Sequence, residues 1–311
     1  MYNRANQIVK EVEKAVIGKS EVVKSVLLAI LAKGHILIED IPGVGKTTLA
    51  LAFSKVLSLD YHRLQLTPDV LPTDITGFSL YNKDTGEFEF REGAAFCNLF
   101  LADEINRTSS KTQSALLEVM EEGKVTVDGE TREVPYPNIV IATQNPMGSI
   151  GTFMLPESQL DRFTIKISMG YPDVHSEIEI LKGKNSDETL DLLGPVAGAA
   201  DLVKMQQLVE QTYIDDRIYE YISELIQKTR NHEHIQLGVS TRGALALVRM
   251  VKARAFLEAR DYVIPEDIQA CFPLVVGHRL VLSAKAKINE ITEDMVAKQI
   301  LKQVIAPAIK P

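Results

Sequence analysis

The stretch His35-Ile-Leu-Ile-Glu-Asp-Ile-Pro-Gly-Val-Gly-Lys-Thr-Thr48 decides how the rest of the chain is read. Its opening, His35 to Glu39, is a short apolar run that predicts a buried strand, and Ala50 to Leu57 beyond it has helical character. A glycine-rich turn set between a strand and a helix is the context of a phosphate-binding loop. Gly43 and Gly45 let the backbone curl so that N–H groups face an anion, and a helix opening near Lys46 points its positive dipole end at the same place. Pro42, Val44 and Thr48 complete the loop; Lys46 is placed to reach β/γ-phosphates and Thr47 to ligate Mg²⁺. Asp40 occupies the position, five residues before Gly45, where the usual pattern has glycine. A carboxylate facing a triphosphate is repelled, so Asp40 is expected to point away from the nucleotide.

Two further apolar runs extend the pattern. Asn98-Leu-Phe-Leu-Ala-Asp-Glu104 ends in two acids. Beside a phosphate loop, Asp103 can order Mg²⁺ through water and Glu104 can polarise the attacking water as general base. Ile139-Val-Ile-Ala-Thr-Gln-Asn145 puts an amide just past a buried strand, where it would touch a γ-phosphate or that water. With helices at Glu21–Ala32 and Thr112–Glu122 and a strand-like Tyr61–Leu66, the alternation predicts a parallel sheet covered by helices on both faces. Ligands of such sheets bind beyond the carboxyl ends of the strands, where these segments would meet.

Two stretches interrupt that unit. Thr67 to Gly93 is rich in turn signals, and Lys124 to Val134 reads as a hairpin turning at Asp128-Gly129. Both are taken as insertions in the core. Past Tyr171-Pro172 the pattern changes: Lys182 to Gly198 is polar and Gly/Pro-containing, and from Leu202 only helices are expected. These are Leu202–Glu210, Asp216–Asn231, Thr241–Arg260, Pro265–Pro273 and Glu293–Val304, the third with a buried stripe at Leu245, Val248, Val251 and Ala255. The expected domains are an αβα core at 1–172, a linker at 173–198 and a helical domain at 199–311.

Composition narrows the function. The 311 residues are 45% hydrophobic and 24% charged, which describes a globular chain and not a disordered one. Thirty-four Lys and Arg against 42 Asp and Glu leave a net charge of −8, a poor balance for gripping nucleic acid by charge alone. Cys97 and Cys271 lie far apart among apolar residues, as reduced buried thiols of a cytoplasmic protein would. The N-terminus lacks a signal-peptide pattern, and the longest apolar run, Val26–Ala32, is far short of the ~20 residues that span a bilayer. His232-Glu-His234 has no third ligand at metal-site spacing, so a solvated helix end is expected there.

Taken in order, the phosphate loop, Leu101-Ala-Asp-Glu-Ile-Asn-Arg107, Ala142-Thr-Gln-Asn-Pro146, Leu155-Pro-Glu-Ser-Gln-Leu-Asp-Arg-Phe163 and Gly238-Val-Ser-Thr-Arg242 resemble the MoxR family of AAA+ ATPases over nearly the whole chain. Thr67-Pro-Asp69 and His278-Arg279 also resemble family segments, and the two insertions resemble the family's helix-2 insert and pre-sensor-1 hairpin. The resemblance implies an αβα ATPase core followed by an all-helical lid. It assigns Asn145 to sensor 1, Arg162 to the arginine finger offered to a neighbouring subunit's nucleotide, and Arg242 to the sensor-2 arginine reaching from the lid to the γ-phosphate. Val16-Ile17-Gly18 resembles the segment beside the adenine. Without the resemblance, Arg162 and Arg242 read as ordinary surface ion pairs, Arg162 with Asp161 or a nearby acid.

The function the resemblance implies is ATP hydrolysis with Mg²⁺ by a ring, expected to be a hexamer. It would remodel a client protein or help install a metal centre, in concert with a von Willebrand factor A domain protein. Two alternatives share the core: a metal-chelatase motor subunit, and a DNA-translocating, helicase-like motor whose channel Lys124 and Arg132 would face. The acidic balance speaks against the second, and neither nucleic acid nor a membrane is an expected partner.

Overall fold

The computed structural model describes residues 1–146, 155–182 and 186–308. Its elements run α1 (Tyr2–Glu13), α2 (Ser20–Leu31), β1 (Ile36–Glu39), α3 (Lys46–Val56), β2 (Tyr61–Gln65), α4 (Pro72–Thr76), β3 (Phe78–Asn82), β4 (Glu87–Arg91), β5 (Leu99–Asp103), α5 (Ser110–Glu122), β6 (Lys124–Val127), β7 (Glu130–Glu133) and β8 (Ile139–Gln144). They continue with α6 (Glu157–Leu160), β9 (Ile165–Ile167), α7 (Val174–Leu181), α8 (Ser186–Leu192), α9 (Ala199–Gln211), α10 (Asp216–Arg230), β10 (Ile235–Leu237), α11 (Thr241–Leu257), α12 (Pro265–Val276), β11 (Val281–Leu282), α13 (Ala284–Ile288) and α14 (Glu293–Gln303).

Five parallel strands form the central sheet in the order β2-β5-β8-β1-β9. Successive side chains of a strand point to opposite faces, and the apolar strands sort accordingly. Ile36, Ile38, Leu99, Leu101, Ile139 and Ile141 enter a core shared with α1, α2, α3 and the helical domain. Leu37, Phe100, Ala102, Val140 and Ala142 enter a second core with α5 and the hairpins. Burial on both faces is why these strands read as continuous apolar runs.

Both insertions are present. The first contains α4 and the antiparallel pair β3–β4; the second is the hairpin β6–β7, with Asp128 and Gly129 at φ 53° and 79° in the turn. Arg132 is not free to face a channel: its Cζ lies 4.1 Å from the centre of the Phe90 ring on β4, and its guanidinium pairs with Glu130. Lys124 is exposed, 3.7 Å from the equally exposed Glu122.

Several expectations need correction. α1 was not foreseen, although Ala5, Ile8, Val9 and Val12 are buried at helical spacing. The segment 173–198, expected as a linker, holds two helices, α7 and α8. It is pinned to the end of α3: Lys55 Nζ donates to Leu190 O at 3.0 Å, and the N–H of Val196 to Val56 O at 2.8 Å. Leu190, Leu193 and Ala197 supply the buried contacts that hold it there. The C-terminal part is not purely helical either, because β10 and β11 pair antiparallel. The buried side of α11 is also broader than the expected stripe: Leu245 is 59% exposed, while Ala246, Leu247, Met250, Val251 and Ala255 are buried. This helix packs against α2, α9 and α12, so apolar residues are needed on several sides.

Arg279 joins the helical domain to the sheet. Only 2% of its side chain is exposed. Its Nε donates to Asp161 Oδ1 at 2.7 Å, and its Nη atoms donate to the carbonyls of Phe163 and Thr164 at 2.6 and 3.1 Å. A guanidinium satisfied by a carboxylate and several carbonyls is stable in the interior, but removing one partner strands the other. Arg279→Ala is expected to lower stability by about 3–5 kcal/mol, read by denaturant unfolding. A loss within the ~0.2–1 kcal/mol of an exposed pair would show that apolar packing alone holds the junction.

Candidate active site

A cleft of about 550 Å³ opens at the carboxyl ends of the parallel strands. The α1–α2 turn contributes Ala15, Val16, Ile17 and Lys19; the phosphate loop contributes Pro42 through Thr48; Arg63, Gln65, Asp103, Glu104 and Asn145 close the floor. Gly18 is not part of the wall. At φ 72°, its missing Cβ would fall 2.1 Å from Ser176 Oγ, so glycine is what lets this turn abut the start of α7.

In the phosphate loop Gly43 and Gly45 sit at φ 84° and 93°, the left-handed region that favours glycine. Gly45 is the N-cap of α3, so the helix begins at Lys46, as the phosphate-loop reading expected. The unpaired N–H groups of its first turn and the dipole face an anion held there. Lys46 is buried, with Nζ donating to the backbone carbonyl of Asp40 at 2.7 Å. Burial lowers its pKa, opposed by the nearby carboxylates of Asp103, Asp40 and Glu104.

The Asp40 carboxylate does point away from the cleft. Its Oδ2 accepts from Ser168 Oγ at 2.9 Å and from the N–H groups of Met169 and Gly170 at 2.6 and 2.7 Å, and its Oδ1 accepts from the Ile41 N–H at 2.9 Å. Burial raises its pKa, but these donors outweigh burial and hold it below the ordinary aspartate value. The departure from glycine is therefore a tie between the phosphate loop and the segment after β9.

Asp103 and Glu104 end β5 with a change of backbone hand. Glu104 is at φ 59°, ψ 48°, a rare conformation for a non-glycine residue, and it turns its side chain toward Asn145 and Arg107. One hydroxyl holds the turn: Thr143 Oγ1 accepts from the Glu104 N–H at 2.9 Å and donates to Asp103 Oδ1 at 2.6 Å. The other oxygen of Asp103 accepts from Arg63 Nη2 at 2.7 Å. Glu104 Oε2 pairs with Arg107 Nη1 at 2.7 Å, and Oε1 accepts from Asn145 Nδ2 at 3.2 Å. Burial raises the Glu104 pKa, but Arg107 and Asn145 more than offset it and leave the carboxyl below its usual range. The Asn145 backbone is gripped by Asn106, whose Oδ1 accepts its N–H at 3.2 Å and whose Nδ2 donates to its carbonyl at 3.1 Å. Asn145 Oδ1 is buried and accepts no hydrogen bond among the described residues, which leaves it available to a bound group.

Sequence reasoning missed Arg63, Gln65, Asn106, Arg107 and Thr143. Signals existed: Arg63 and Gln65 share one face of β2, Arg107 follows Glu104 by three, and Thr143 is a polar residue inside a fully buried strand.

The two remaining arginines lie elsewhere. Arg162 Nη1 is 3.1 Å from Glu121 Oε2 and donates to the Leu117 carbonyl at 2.6 Å. Arg242 pairs with the other oxygen of the same Glu121. Asp161, the partner considered for Arg162, is bound by Arg279 and Ser240 instead. Within one chain, then, Arg242 does not reach the phosphate loop, and no lid residue lines the cleft among the described residues. The packing of α11 on α2 and α9 sets its N-terminus beside the end of α5.

The fold and the loop define a P-loop ATPase of the AAA+ type, and comparison with known proteins agrees. Residues 35–165 match the family model "ATPase family associated with various cellular activities (AAA)", and residues 227–300 match the AAA lid domain. YeaC of Bacillus subtilis, an uncharacterized protein, is 48% identical over 96% of this chain and 93% of its own. Chaperone MoxR1 of Mycobacterium tuberculosis is 36% identical over 96% of this chain and 81% of its own. A crystal structure from Cytophaga hutchinsonii, assigned as an ATPase, superposes with a TM-score of 0.91 at 36% identity, covering 99% of this chain and 96% of that one. Magnesium-chelatase subunits align at lower identity over less of the chain. The chain belongs to the MoxR family of AAA+ ATPases.

The Asp40 tie makes a specific demand. Asp40→Ala leaves three backbone N–H groups without their acceptor and is expected to cost about 1–3 kcal/mol in stability. Titration calorimetry should also find weaker ATP binding, although the side chain faces away from the cleft. Unchanged affinity would show that the loop holds its shape without the tie.

Proposed function

We propose that the chain acts as a ring, hexameric as in the expectation above, in which each ATP is bound by one subunit and completed by the next. The observation that carries this reading is the separation just described: the cleft holds the phosphate loop, both acids and Asn145, while Arg162 and Arg242 stand together at Glu121. Charge developing on a transferred phosphoryl group calls for fixed guanidinium groups, and a trans-acting arginine is worth ~10³–10⁵ in rate. A second copy would supply both. The division into a core at 1–172 and a lid at 199–311 belongs to this reading.

In the proposed reaction, Glu104 takes a proton from the attacking water, with Asn145 Oδ1 positioned to hold that water. Lys46 and the loop N–H groups bind the β/γ-phosphates. Thr47 and Asp103 offer the hard oxygen donors that Mg²⁺ prefers, and the ion, when bound, would neutralise phosphate charge. Val16 and Ile17 form the apolar wall beside the base.

Hydrolysis would move the two hairpins against a client protein. In support, β3–β4 keeps Leu80, Tyr81 and Phe88 in solvent, Phe88 at 74% exposure, a costly arrangement for a surface with no partner. The relative named a chaperone supports client remodelling; metal-centre assembly and a von Willebrand factor A domain co-chaperone are part of the proposal. The burial of both free cysteines, which raises each thiol pKa to about 12, suits a cytoplasmic location. No helix among the described residues is long and apolar enough to cross a membrane.

Turnover per subunit is expected to climb with protein concentration, to vanish in Glu104→Gln, and to collapse disproportionately when Arg162→Ala subunits are mixed in. Activity that is flat with concentration and falls only in proportion to dilution would remove the shared-site reading.

Arg107 supplies a second test. It is the largest influence lowering the Glu104 pKa, so Arg107→Ala should raise that pKa, protonate the base at higher pH, and move the acid limb of the kcat profile upward. An acid limb at the wild-type position would exclude Glu104 as the titrating base.

A further inference from the structure

α5 ends at Glu122, where Gly123 adopts φ 63°, and Glu121 lies in its last turn. One oxygen of Glu121 accepts from Arg242 Nη2, at the start of the lid helix α11; the other lies 3.1 Å from Arg162 Nη1, just past α6 of the core. Arg162 also donates to the carbonyl of Leu117, one turn back on α5, near the helix end whose dipole favours a cation. A single carboxylate thus joins an arginine of the core to an arginine of the lid.

Glu118 and Glu122 line a neighbouring cavity with Arg162, but among the described residues Glu121 is the carboxylate paired with both arginines. Asp161 is committed, Oδ1 to Arg279 and Oδ2 to Ser240. The adjoining cavity, about 240 Å³, is lined by Arg249 and Arg279 as well as by Arg162 and Arg242. Without Glu121, like charges would repel one another across this space and the two exposed guanidiniums would swing apart into solvent. With it, both are held in one orientation while remaining accessible: the side chains of Arg162 and Arg242 are 30% and 43% exposed.

We propose that Glu121 is a positioning residue that sets the spacing and aim of Arg162 and Arg242 toward the phosphates in the neighbouring subunit. This rests on the shared-site reading above. Glu121 touches no nucleotide itself, and its influence passes through the two arginines.

The test separates donor from acceptor subunits. Acceptors carry Arg162→Ala and keep Glu104; donors carry Glu104→Gln and keep both arginines, so turnover arises where a donor faces an acceptor's site. Adding Glu121→Gln to the donors is expected to lower kcat about ten- to hundredfold, the cost of misplaced catalytic groups, with the ATP KM changed less than about twofold since substrate binding is left to the acceptor's loop. An undiminished kcat, in a mixture that Arg162→Ala in the donors does silence, would overturn the proposal alone. An equal loss when Glu121→Gln is placed in the acceptors would also overturn it, by marking a general structural role. If Arg162→Ala in the donors changes nothing, the shared-site reading falls and the proposal with it.

Discussion

A parallel sheet has to be buried on both faces, and most of this molecule follows from meeting that demand. Alternate residues of β1, β5 and β8 feed two separate cores, one closed by α1 to α3 and the lid, the other by α5 and the hairpins. Because the strands run the same way, their carboxyl ends share one edge, and the phosphate loop, the two acids and Asn145 gather there without any element designed to bring them together. The lid is not a loosely hung cap. It contributes to the same apolar core as α1 and α2 and is fastened to the sheet by Arg279.

The site concentrates charge in a small volume, and each charge has a designated neighbour. Asp40 is absorbed by backbone N–H groups, Asp103 by Thr143 and Arg63, and Glu104 by Arg107 and Asn145. For Asp40 and Glu104 these contacts outweigh partial burial and favour the ionised carboxylate, the state a base requires. Thr143 has the largest reach for its size, since one hydroxyl fixes both the Asp103 carboxylate and the left-handed turn at Glu104.

The two insertions are also less independent than their separation in sequence implies. The Arg132 guanidinium lies on the Phe90 ring, and that ring meets Phe96 edge-on at 5.5 Å between centroids. A residue that looked available for a polyanion therefore ties one hairpin to the other, so a movement of one would carry its neighbour.

The sequence by itself determined four of the five strands of the sheet, all but the edge strand β9, and the phosphate loop and acids of the cleft. Apolar runs of strand length, glycines at the turn and acids at the strand ends are local patterns, and the forces behind them act over a few residues. α1 and the helices of 173–198 were legible in principle, through buried spacings such as Ala5, Ile8, Val9 and Val12, but their polar composition obscured them. What only the tertiary structure decided is where side chains distant in sequence meet: Asp40 with Met169 and Gly170, Asp161 with Arg279, and above all Arg162 and Arg242 on one carboxylate of α5. Such meetings depend on how α11 packs against α2 and α9, and a motif of five residues carries no record of the surface its helix will rest upon.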